Sequence, residues 1–543
     1  MKKFLSVLIT AVMILQCAFI APLAAENYIP PESPSKDYNF NLDWKFSKPY
    51  SATWPLKDAV ESTTDGAGHK FYEIEFDDSS WKDVSLPHTF NDEDSFRNDA
   101  NDAGDGGTYR GIAFYRKHFK IPAEHSGKKI IIEFEGARQG TYVYVNGTMA
   151  GYYEAGVSPF GMDITKYIKY DAENVIAVAL DNTSSRGMTQ IIAETKPGSV
   201  PGSNDGTTFQ WNTKDFNPDM GGLTRNVILH IKDTVYETLP LYSNLRTKGS
   251  YIYADNFDIR GKKADIHVET EVRNESGADK HISLEAVVVD NDGNVAATMN
   301  SETVSVSAAG DTDKNYDLSI VPSDAYDENP AETETASLET AVLTASASAE
   351  NLRFWSPDDP YLYTVYTIVK SNGAVVDVTE TTTGFRKVEA KGGSDGGVYI
   401  NDKYFWLTGY AQRSTNEWAA IGVANDWLKD YDAQLIRESN ANFVRWMHIA
   451  AQPADIRSFD KYGVVCVQPA GDKEGDVSGR QWDQRVEVMR DTIIYFRNSP
   501  SIIFYESGNS ANSTEHMKEM TELRKSLDPS GGRYMGSRSI IDG

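Results

Sequence analysis

A helix, a turn and a buried strand near the carboxyl end of the sequence constrain the fold most. Residues 485–497 have helical character, and Asn498-Ser499-Pro500 marks a turn. The apolar run Ile502–Tyr505 then leads into Gly508-Asn509. This order predicts a buried strand that ends in a polar turn. In parallel α/β barrels the catalytic groups lie where strands end, so the residues after Tyr505 are candidates for a functional site.

The same alternation of strand and helix begins near residue 386 and indicates parallel β/α units. On the first helix Trp427, Leu428, Tyr431, Leu435 and Ile436 are predicted to share one face. The second helix is expected to end at Gly463 in a left-handed cap, and Asn512-Ser513-Thr514 offers caps for the fourth. The predicted strands are 404–410, 441–448, 464–471 and the run from 501, and the predicted helices are 426–440, 453–463, 481–497 and 512–527.

Four strands are half of what a closed barrel needs. A (β/α)8 barrel typically takes about 250 residues, and an open half would leave an exposed edge strand. We therefore expect this sequence to be the N-terminal part of a longer reading frame. The alternative is a truncated chain that dimerises or misfolds.

Two all-β regions precede the β/α units. Residues 26–235 contain short strand-like runs between turn signals, including a hairpin turn at Asn146-Gly147. This pattern predicts a sandwich or jelly roll. Residues 236–385 read as a second β domain with a turn at Asp292-Gly293. Residues 322–350, rich in Ala, Ser, Thr and Glu, are predicted to be a solvated insertion or long loop.

The N-terminus has the pattern of an export signal. Lys2 and Lys3 precede the apolar run Phe4–Ile20, and small residues follow at 21–25. Cleavage near residue 25 would give an exported protein, periplasmic or extracellular. A membrane anchor is less consistent with so short a run, and lipidation at Cys17 is the other alternative. Cys466 lies in an apolar run, which predicts a buried thiol.

The net charge and the composition exclude some classes of binding partner. The net charge is −26, with 53 basic and 79 acidic residues, which argues against nucleic acid or an anionic membrane surface. The nine histidines are scattered without a metal-ligand spacing, so neither a metal nor a cofactor is predicted. Homo-oligomerisation is left open.

Several motifs occur together in the order of one known family. They are SLPHTFN (85–91), AFYRKHFKIP (113–122), ENVIAVALDN (173–182), WSPDDPYLYTVYTIV (355–369) and IIFYESGNS (502–510). On these motifs the sequence resembles glycoside hydrolase family 2, which includes β-galactosidases, β-glucuronidases and β-mannosidases. The resemblance implies a signal peptide (1–25), an all-β jelly-roll sugar-binding domain (26–235), an immunoglobulin-like β-sandwich (236–385) and an incomplete (β/α)8 TIM barrel (386–543). It also implies retaining hydrolysis of β-O-glycosidic bonds in a β-linked glycan, of the β-galactosidase type.

The catalytic residues implied by the resemblance do not all match. Ser510 occupies the position of the family's acid/base Glu, and a serine hydroxyl cannot act as a general acid near neutral pH. The nucleophile Glu would lie on the seventh strand, beyond Gly543. Three alternatives stay open: Glu506 or Glu515 donates the proton, the acid comes from the missing half, or the protein binds carbohydrate without hydrolysing it. The alternation of side chains along the strand directs Glu506 into the barrel, where it could be paired with a basic group instead of donating a proton. Glu515 could instead have a structural role, because a negative charge in the first turn of a helix interacts favourably with the helix dipole.

The substrate-binding positions are carried over residue by residue. Asn509 matches the Asn that contacts the sugar 2-hydroxyl. Arg445 and His448 match the family's second-strand Arg and His. Trp446 and Trp418 could stack on a sugar face or pack in the core. Asn416 and Glu417 stand after the first strand, where β-galactosidases have an Asn-Arg-His-Glu motif.

Overall fold

A computed structural model describes most of the chain after the N-terminal segment. The predicted signal peptide with Cys17, the candidate residues Asn416, Glu417 and Trp418, and Ser510 lie outside the described residues. The described ranges are 27–49, 56–91, 111–153, 156–182, 221–308, 340–413, 423, 425–471, 475–509 and 512–537.

The first region is a pair of antiparallel sheets around one core. Several of its strands are buried along almost their whole length, and Asn146 and Gly147, both with positive φ, form the predicted hairpin turn. The sheet orders are β1-β10-β5-β8 and β3-β2-β4-β9-β6-β7. A helix, α1 (Leu56–Ser62), lies beside the second sheet. The strands are β1 (Lys36–Asn39), β2 (Trp44–Ser47), β3 (Lys82–Val84), β4 (Ile112–Lys120), β5 (Lys129–Phe134), β6 (Gly140–Val145), β7 (Thr148–Tyr153), β8 (Phe160–Asp163), β9 (Glu173–Asp181) and β10 (Val227–Lys232).

The second region again has two antiparallel sheets. One contains β12, β13 and β17, with β11 continuing beside β13, and the other has the order β15-β14-β18-β19, with β16 beside β14. The predicted turn at Asp292-Gly293 is confirmed between two of these strands. The strands are β11 (Val235–Glu237), β12 (Ser250–Asp258), β13 (Lys263–Asn274), β14 (Lys280–Val289), β15 (Val295–Asn300), β16 (Val304–Val306), β17 (Thr340–Ala349), β18 (Tyr363–Ser371) and β19 (Ala374–Thr383).

The prediction of a loop at 322–350 is wrong for its last part. Thr340–Ala349 is a ten-residue strand paired along its whole length with β13. Leu343 and Ala345 face the core of the sandwich. Alanine and serine have low strand propensity, so the composition hid a strand that tertiary pairing stabilises.

The third region is a parallel sheet with helices between its strands, after a small three-stranded antiparallel sheet. The strands of the small sheet are β20 (Val388–Lys391), β21 (Gly397–Ile400) and β22 (Lys403–Phe405). The sheet order is β23-β24-β25-β26-β27, with every pairing parallel. Its strands and helices are β23 (Gly409–Gln412), α2 (Asp426–Glu438), β24 (Phe443–Trp446), α3 (Pro453–Tyr462), β25 (Val465–Pro469), α4 (Arg480–Phe496), β26 (Ile502–Glu506), α5 (Thr514–Leu527) and β27 (Tyr534–Gly536).

Two predictions about this sheet are corrected. The run 404–410 is not one barrel strand, because β22 pairs with β21 and the barrel begins at Gly409. The sequence pattern predicts four strands, but the structure has a fifth, Tyr534–Gly536, which is only three residues long. The predicted caps are confirmed: Gly463 has φ 73° at the end of α3, and the Ser513 side chain accepts from the His516 amide at the start of α5.

The predicted apolar face of α2 divides into a buried and an exposed part. Ile436 is 1% exposed and packs on the sheet, whereas Trp427, Tyr431 and Leu435 are 66%, 48% and 43% exposed. We call these three residues the α2 stripe. Among the described residues, no helix is long and apolar enough to cross a membrane.

The first sandwich braces the barrel through its core and through buried polar contacts. Ile449 and Ala450, which follow β24, belong to the same apolar cluster as the first sandwich. The buried Arg225 guanidinium donates to the Val157 carbonyl oxygen at 2.8 Å and reaches that of Ala450 at 3.4 Å. The Tyr153 hydroxyl donates to Asp491 of α4 at 2.7 Å. The carboxyl end of β24 is therefore fixed against the sandwich.

Candidate functional site

The candidate site lies where the parallel strands end. The carboxyl ends of parallel strands meet at one rim, where barrel enzymes carry their functional groups. Arg445 precedes the end of β24, and His448 lies two residues beyond it. Glu506 is the last residue of β26, and Asn509 follows three residues later. The structure thus places four of the predicted site residues at this rim.

An ion pair joins two strands that are not neighbours. Arg445 Nε donates to Glu506 Oε2 at 2.6 Å, and Arg445 Nη2 donates to Glu506 Oε1 at 2.5 Å. β25 runs between the two strands. Side chains from alternate strands form layers inside such barrels, so the pairing indicates that both side chains point inward. Parallel two-point contacts of this kind are the strong form of the Arg–carboxylate bond.

The same guanidinium also contacts Asn509. Arg445 Nη2 donates to Asn509 Oδ1 at 2.7 Å, and Asn509 is only 3% exposed. Because the amide oxygen accepts from Arg445, the amide nitrogen is directed away from the guanidinium. Arg445, Glu506 and Asn509 therefore form one hydrogen-bonded group at the rim, which we call the rim triad.

The turn after β26 is held by side chains that the sequence analysis did not identify. The Asn512 amide donates to Ser507 Oγ at 2.9 Å, and Arg485 of α4 donates to Asn512 Oδ1 at 3.3 Å. A Cβ at Gly508 would lie 2.8 Å from Arg485 Nη1 and 2.9 Å from Asn512 Oδ1, so a side chain here would require both residues to shift. Asparagines and serines in a turn give no sequence signal that separates this role from simple capping.

His448 adopts a backbone conformation that is uncommon for a residue with a side chain. Its φ is 65°, and its side chain is buried, with 1% exposure. Non-glycine residues in the left-handed region cluster at functional sites, where the surrounding structure maintains them. This conformation turns the chain from β24 toward Ile449 and Ala450 in the core of the first sandwich.

Trp446 does not lie in the site, and its prediction as a sugar-binding residue is corrected. Its side chain is fully buried and stacks on Phe459 of α3 with ring centroids 5.1 Å apart. Successive residues of a strand point to opposite faces, so an inward Arg445 puts Trp446 on the helix side. Trp446 therefore packs in the core, which was the other alternative raised by the sequence.

The positions of Glu515 and Cys466 are explained by local structure. Glu515 is exposed in the first turn of α5, where a negative charge favours the helix dipole. Cys466 is fully buried, as predicted, and burial raises the pKa of its thiol. Neither residue lies in the rim triad.

A polar contact at the end of β23 gives the rim a further titratable group. Gln412 donates to Asp432 Oδ2 of α2 at 2.8 Å. Burial raises the pKa of Asp432, although the bond from Gln412 acts in the opposite direction. Within the described residues no group of three or more His, Cys, Asp or Glu side chains could hold a metal ion.

The fold and the rim define a class of enzyme scaffold, a parallel β/α barrel preceded by two β sandwiches. Sequence models of families match three segments: "Glycosyl hydrolases family 2" over 251–386, "Glycosyl hydrolases family 2, TIM barrel domain" over 393–535, and "Beta-galactosidase second all-beta domain" over 76–186. The chain belongs to glycoside hydrolase family 2.

Individual relatives agree with this assignment. A β-glucuronidase of Formosa agariphila is 38% identical over 92% of this chain and 45% of its own length. A β-galactosidase of Thermoanaerobacter pseudethanolicus is 27% identical over 92% of this chain and 56% of its own. A solved family 2 β-glucuronidase has a TM-score of 0.77 at 34% identity, covering 94% of this chain and 47% of that one. The chain thus spans about half the length of the relatives it matches.

Proposed function

We propose that the protein hydrolyses β-O-glycosidic bonds in a carbohydrate substrate with retention of configuration. The observation that carries this proposal is the rim triad, which holds an arginine and an asparagine at the strand ends of a family 2 barrel. The triad would contact the sugar, with the Asn509 amide donating to a hydroxyl. Asn416 and Glu417, which follow β23 in the sequence, are further proposed contacts. His448 is buried beside this surface and would shape it.

The two carboxyl groups of a retaining glycosidase stand about 5–5.5 Å apart, one as acid/base and one as nucleophile. The only carboxylate in the rim triad is Glu506, and both of its oxygens accept from Arg445. Ser510 at the family position of the acid/base cannot donate the proton. We therefore propose that the acid and the nucleophile come from outside the described residues. This proposal is compatible with the second of the three alternatives raised by the sequence, in which the acid comes from the missing half.

The preferred sugar is proposed from the relatives. The sequence analysis favoured a β-galactoside. The 38%-identical relative is a β-glucuronidase, which supports a β-glucuronide as the stronger candidate. Hydrolysis of p-nitrophenyl β-D-glucuronide and of the matching β-D-galactoside by the complete natural protein separates the two. NMR of the first-formed sugar anomer tests retention.

The alternative function is carbohydrate binding without hydrolysis. It is favoured by the serine at the acid/base position and by the pairing of Glu506. Binding of glucuronate or galactose measured by calorimetry, with no release of p-nitrophenol over days, would support it and refute the hydrolase proposal. Release of p-nitrophenol that requires the protein would exclude it.

We also propose the finer architecture and location indicated by the sequence. The first sandwich would be a jelly roll, the second immunoglobulin-like, and the barrel incomplete within residues 386–543. Residues 1–25 would direct export to the periplasm or the exterior. Amino-terminal sequencing of the mature protein from cell fractions tests the last point, since cleavage predicts a new terminus near residue 26.

A further inference from the structure

Glu506 is a carboxylate at the rim whose placement the proposed reaction does not explain. It stands at the carboxyl end of β26, and its backbone oxygen accepts from the Ala470 amide at 2.8 Å. Its side chain is 7% exposed, against 22% for that of Arg445. A buried carboxylate at an active-site rim is an obvious candidate for proton donation. The contacts of its two oxygens argue otherwise.

Both oxygens of Glu506 are directed at the guanidinium. Oε2 accepts from Arg445 Nε and Oε1 accepts from Arg445 Nη2. A general acid must present an oxygen to the leaving group within hydrogen-bond reach. Here the carboxylate plane instead fixes the plane of the arginine, since two parallel bonds leave little rotational freedom.

The fixed arginine in turn contacts Asn509 through the side-chain oxygen of the amide. Nη2 is shared between Glu506 Oε1 and Asn509 Oδ1. If the guanidinium rotated, the bond to the Asn509 oxygen would be lost. The chain of contacts therefore runs from Glu506 through Arg445 to Asn509.

We infer that Glu506 is a positioning residue, which orients Arg445 and through it the sugar-contacting amide of Asn509, and is not the proton donor. This inference rests on the proposed hydrolase function. It assigns a task to a carboxylate three residues before the sugar-contacting asparagine. It also explains why an inward-facing glutamate is compatible with an acid supplied from elsewhere.

The test compares Glu506→Gln with Glu515→Gln in the complete natural protein. The first substitution keeps the shape but puts an amide N–H against a guanidinium N–H. A misplacement of a substrate contact by about 1 Å can lower activity on the order of 100-fold. We expect a loss in kcat/KM of that order for Glu506→Gln, equal for aryl glycosides with good and poor leaving groups. The alkaline limb of the pH profile should stay in place, and Glu515→Gln should match the wild type.

A double-mutant cycle with Arg445→Met shows whether Glu506 acts through the arginine. If it does, adding Glu506→Gln to Arg445→Met should lower kcat/KM little further, because the arginine that Glu506 orients is already absent. The double variant also removes both charges, so it stays informative if Glu506→Gln alone fails to fold. Circular dichroism establishes folding for each variant.

Three results would overturn the inference. One is a loss confined to poor leaving groups with rescue by azide and disappearance of the alkaline limb, which is the behaviour of an acid/base residue. Another is full activity of Glu506→Gln, and a third is additive losses in the cycle. If the wild type binds sugar but has no turnover, the proposed hydrolase function fails. The same cycle on sugar affinity then decides the positioning role separately. If the wild type neither turns over nor binds sugar, both proposals are refuted.

Discussion

Glu237, in the second sandwich, is a buried acid whose ionisation should be visible in the stability of the protein. Its side chain is 3% exposed and accepts from Ser250 Oγ at 2.6 Å and from Thr367 Oγ1 at 2.5 Å. The nearby Asp377 is paired with Lys232 at 3.2 Å. Burial raises the pKa of Glu237 to about 7, even though the two hydroxyl groups lower it.

The sign and size of the effect follow from this pKa. In the unfolded chain the ordinary value is 4.5, so unfolding releases a proton between pH 4.5 and 7. The stabilisation by the protonated side chain is fully present below pH 4.5 and is lost as the pH rises through 7. A difference of about 2.5 pKa units corresponds to roughly 3 kcal/mol.

Glu237→Gln removes the titration and keeps the shape. We expect its stability relative to the wild type to rise by roughly 3 kcal/mol between pH 4.5 and 8. At about 2–4 °C per kcal/mol for a domain of this size, the Tm difference should change by roughly 6 °C or more. Calorimetric scans across this pH range measure it.

The control is Glu269→Gln on the neighbouring strand β13, which is partly exposed and accepts from the Tyr253 hydroxyl at 2.9 Å. Its Tm difference across the same pH range provides the background for the comparison. If the Glu237→Gln difference is flat, or changes only as much as the Glu269→Gln difference, the assignment of a buried, protonated Glu237 is refuted.

Three further predictions concern residues near the barrel. Trp446→Ala should lower the free energy of unfolding by about 3–5 kcal/mol, because it leaves a cavity against Phe459; denaturant titration measures this, and a selective rise in KM at unchanged stability would contradict it. Glu515→Gln should leave leaving-group dependence unaltered and cost under about 1 kcal/mol, so a large kinetic loss would return Glu515 to the candidate acids. Cys466 should resist iodoacetamide at pH 8 in the native protein and react on unfolding, since its thiol is buried and its pKa is raised; rapid native labelling, seen by mass spectrometry, would disagree.

Local features of the fold were predictable from the sequence where a few adjacent residues decide the backbone. Asn146-Gly147 fixes a hairpin because both residues tolerate positive φ. Gly463 ends α3 for the same reason. The order of parallel strands and helices was likewise visible, because hydrophobic periodicity changes with each element.

Features that depend on distant partners were not predictable. Thr340–Ala349 forms a strand because it pairs with β13 along its full length. The fifth barrel strand has three residues, too few for a pattern to emerge. Trp427, Tyr431 and Leu435 were assigned to the same face as Ile436, but only Ile436 packs on the sheet.

The sequence predicted which residues lie in the candidate site, but it did not predict what each of them does there. Family motifs gave Arg445, His448 and Asn509, and strand parity gave an inward Glu506. Whether Glu506 meets a base or a leaving group depends on a contact between residues 61 positions apart. Sequence alone left both alternatives open, and Trp446 shows how an aromatic beside a site residue can face the opposite side of a strand.

The α2 stripe has a practical consequence for anyone handling this chain in solution. Tyr410 and Trp406 near the start of the barrel sheet are also exposed, by 46% and 71%. Large apolar side chains in contact with water favour association with other apolar surfaces. Residues 27–543 purified alone should therefore elute earlier from a sizing column as their concentration rises. Replacing Trp427 and Tyr431 with glutamine or lysine should improve the yield of monodisperse material for crystallisation.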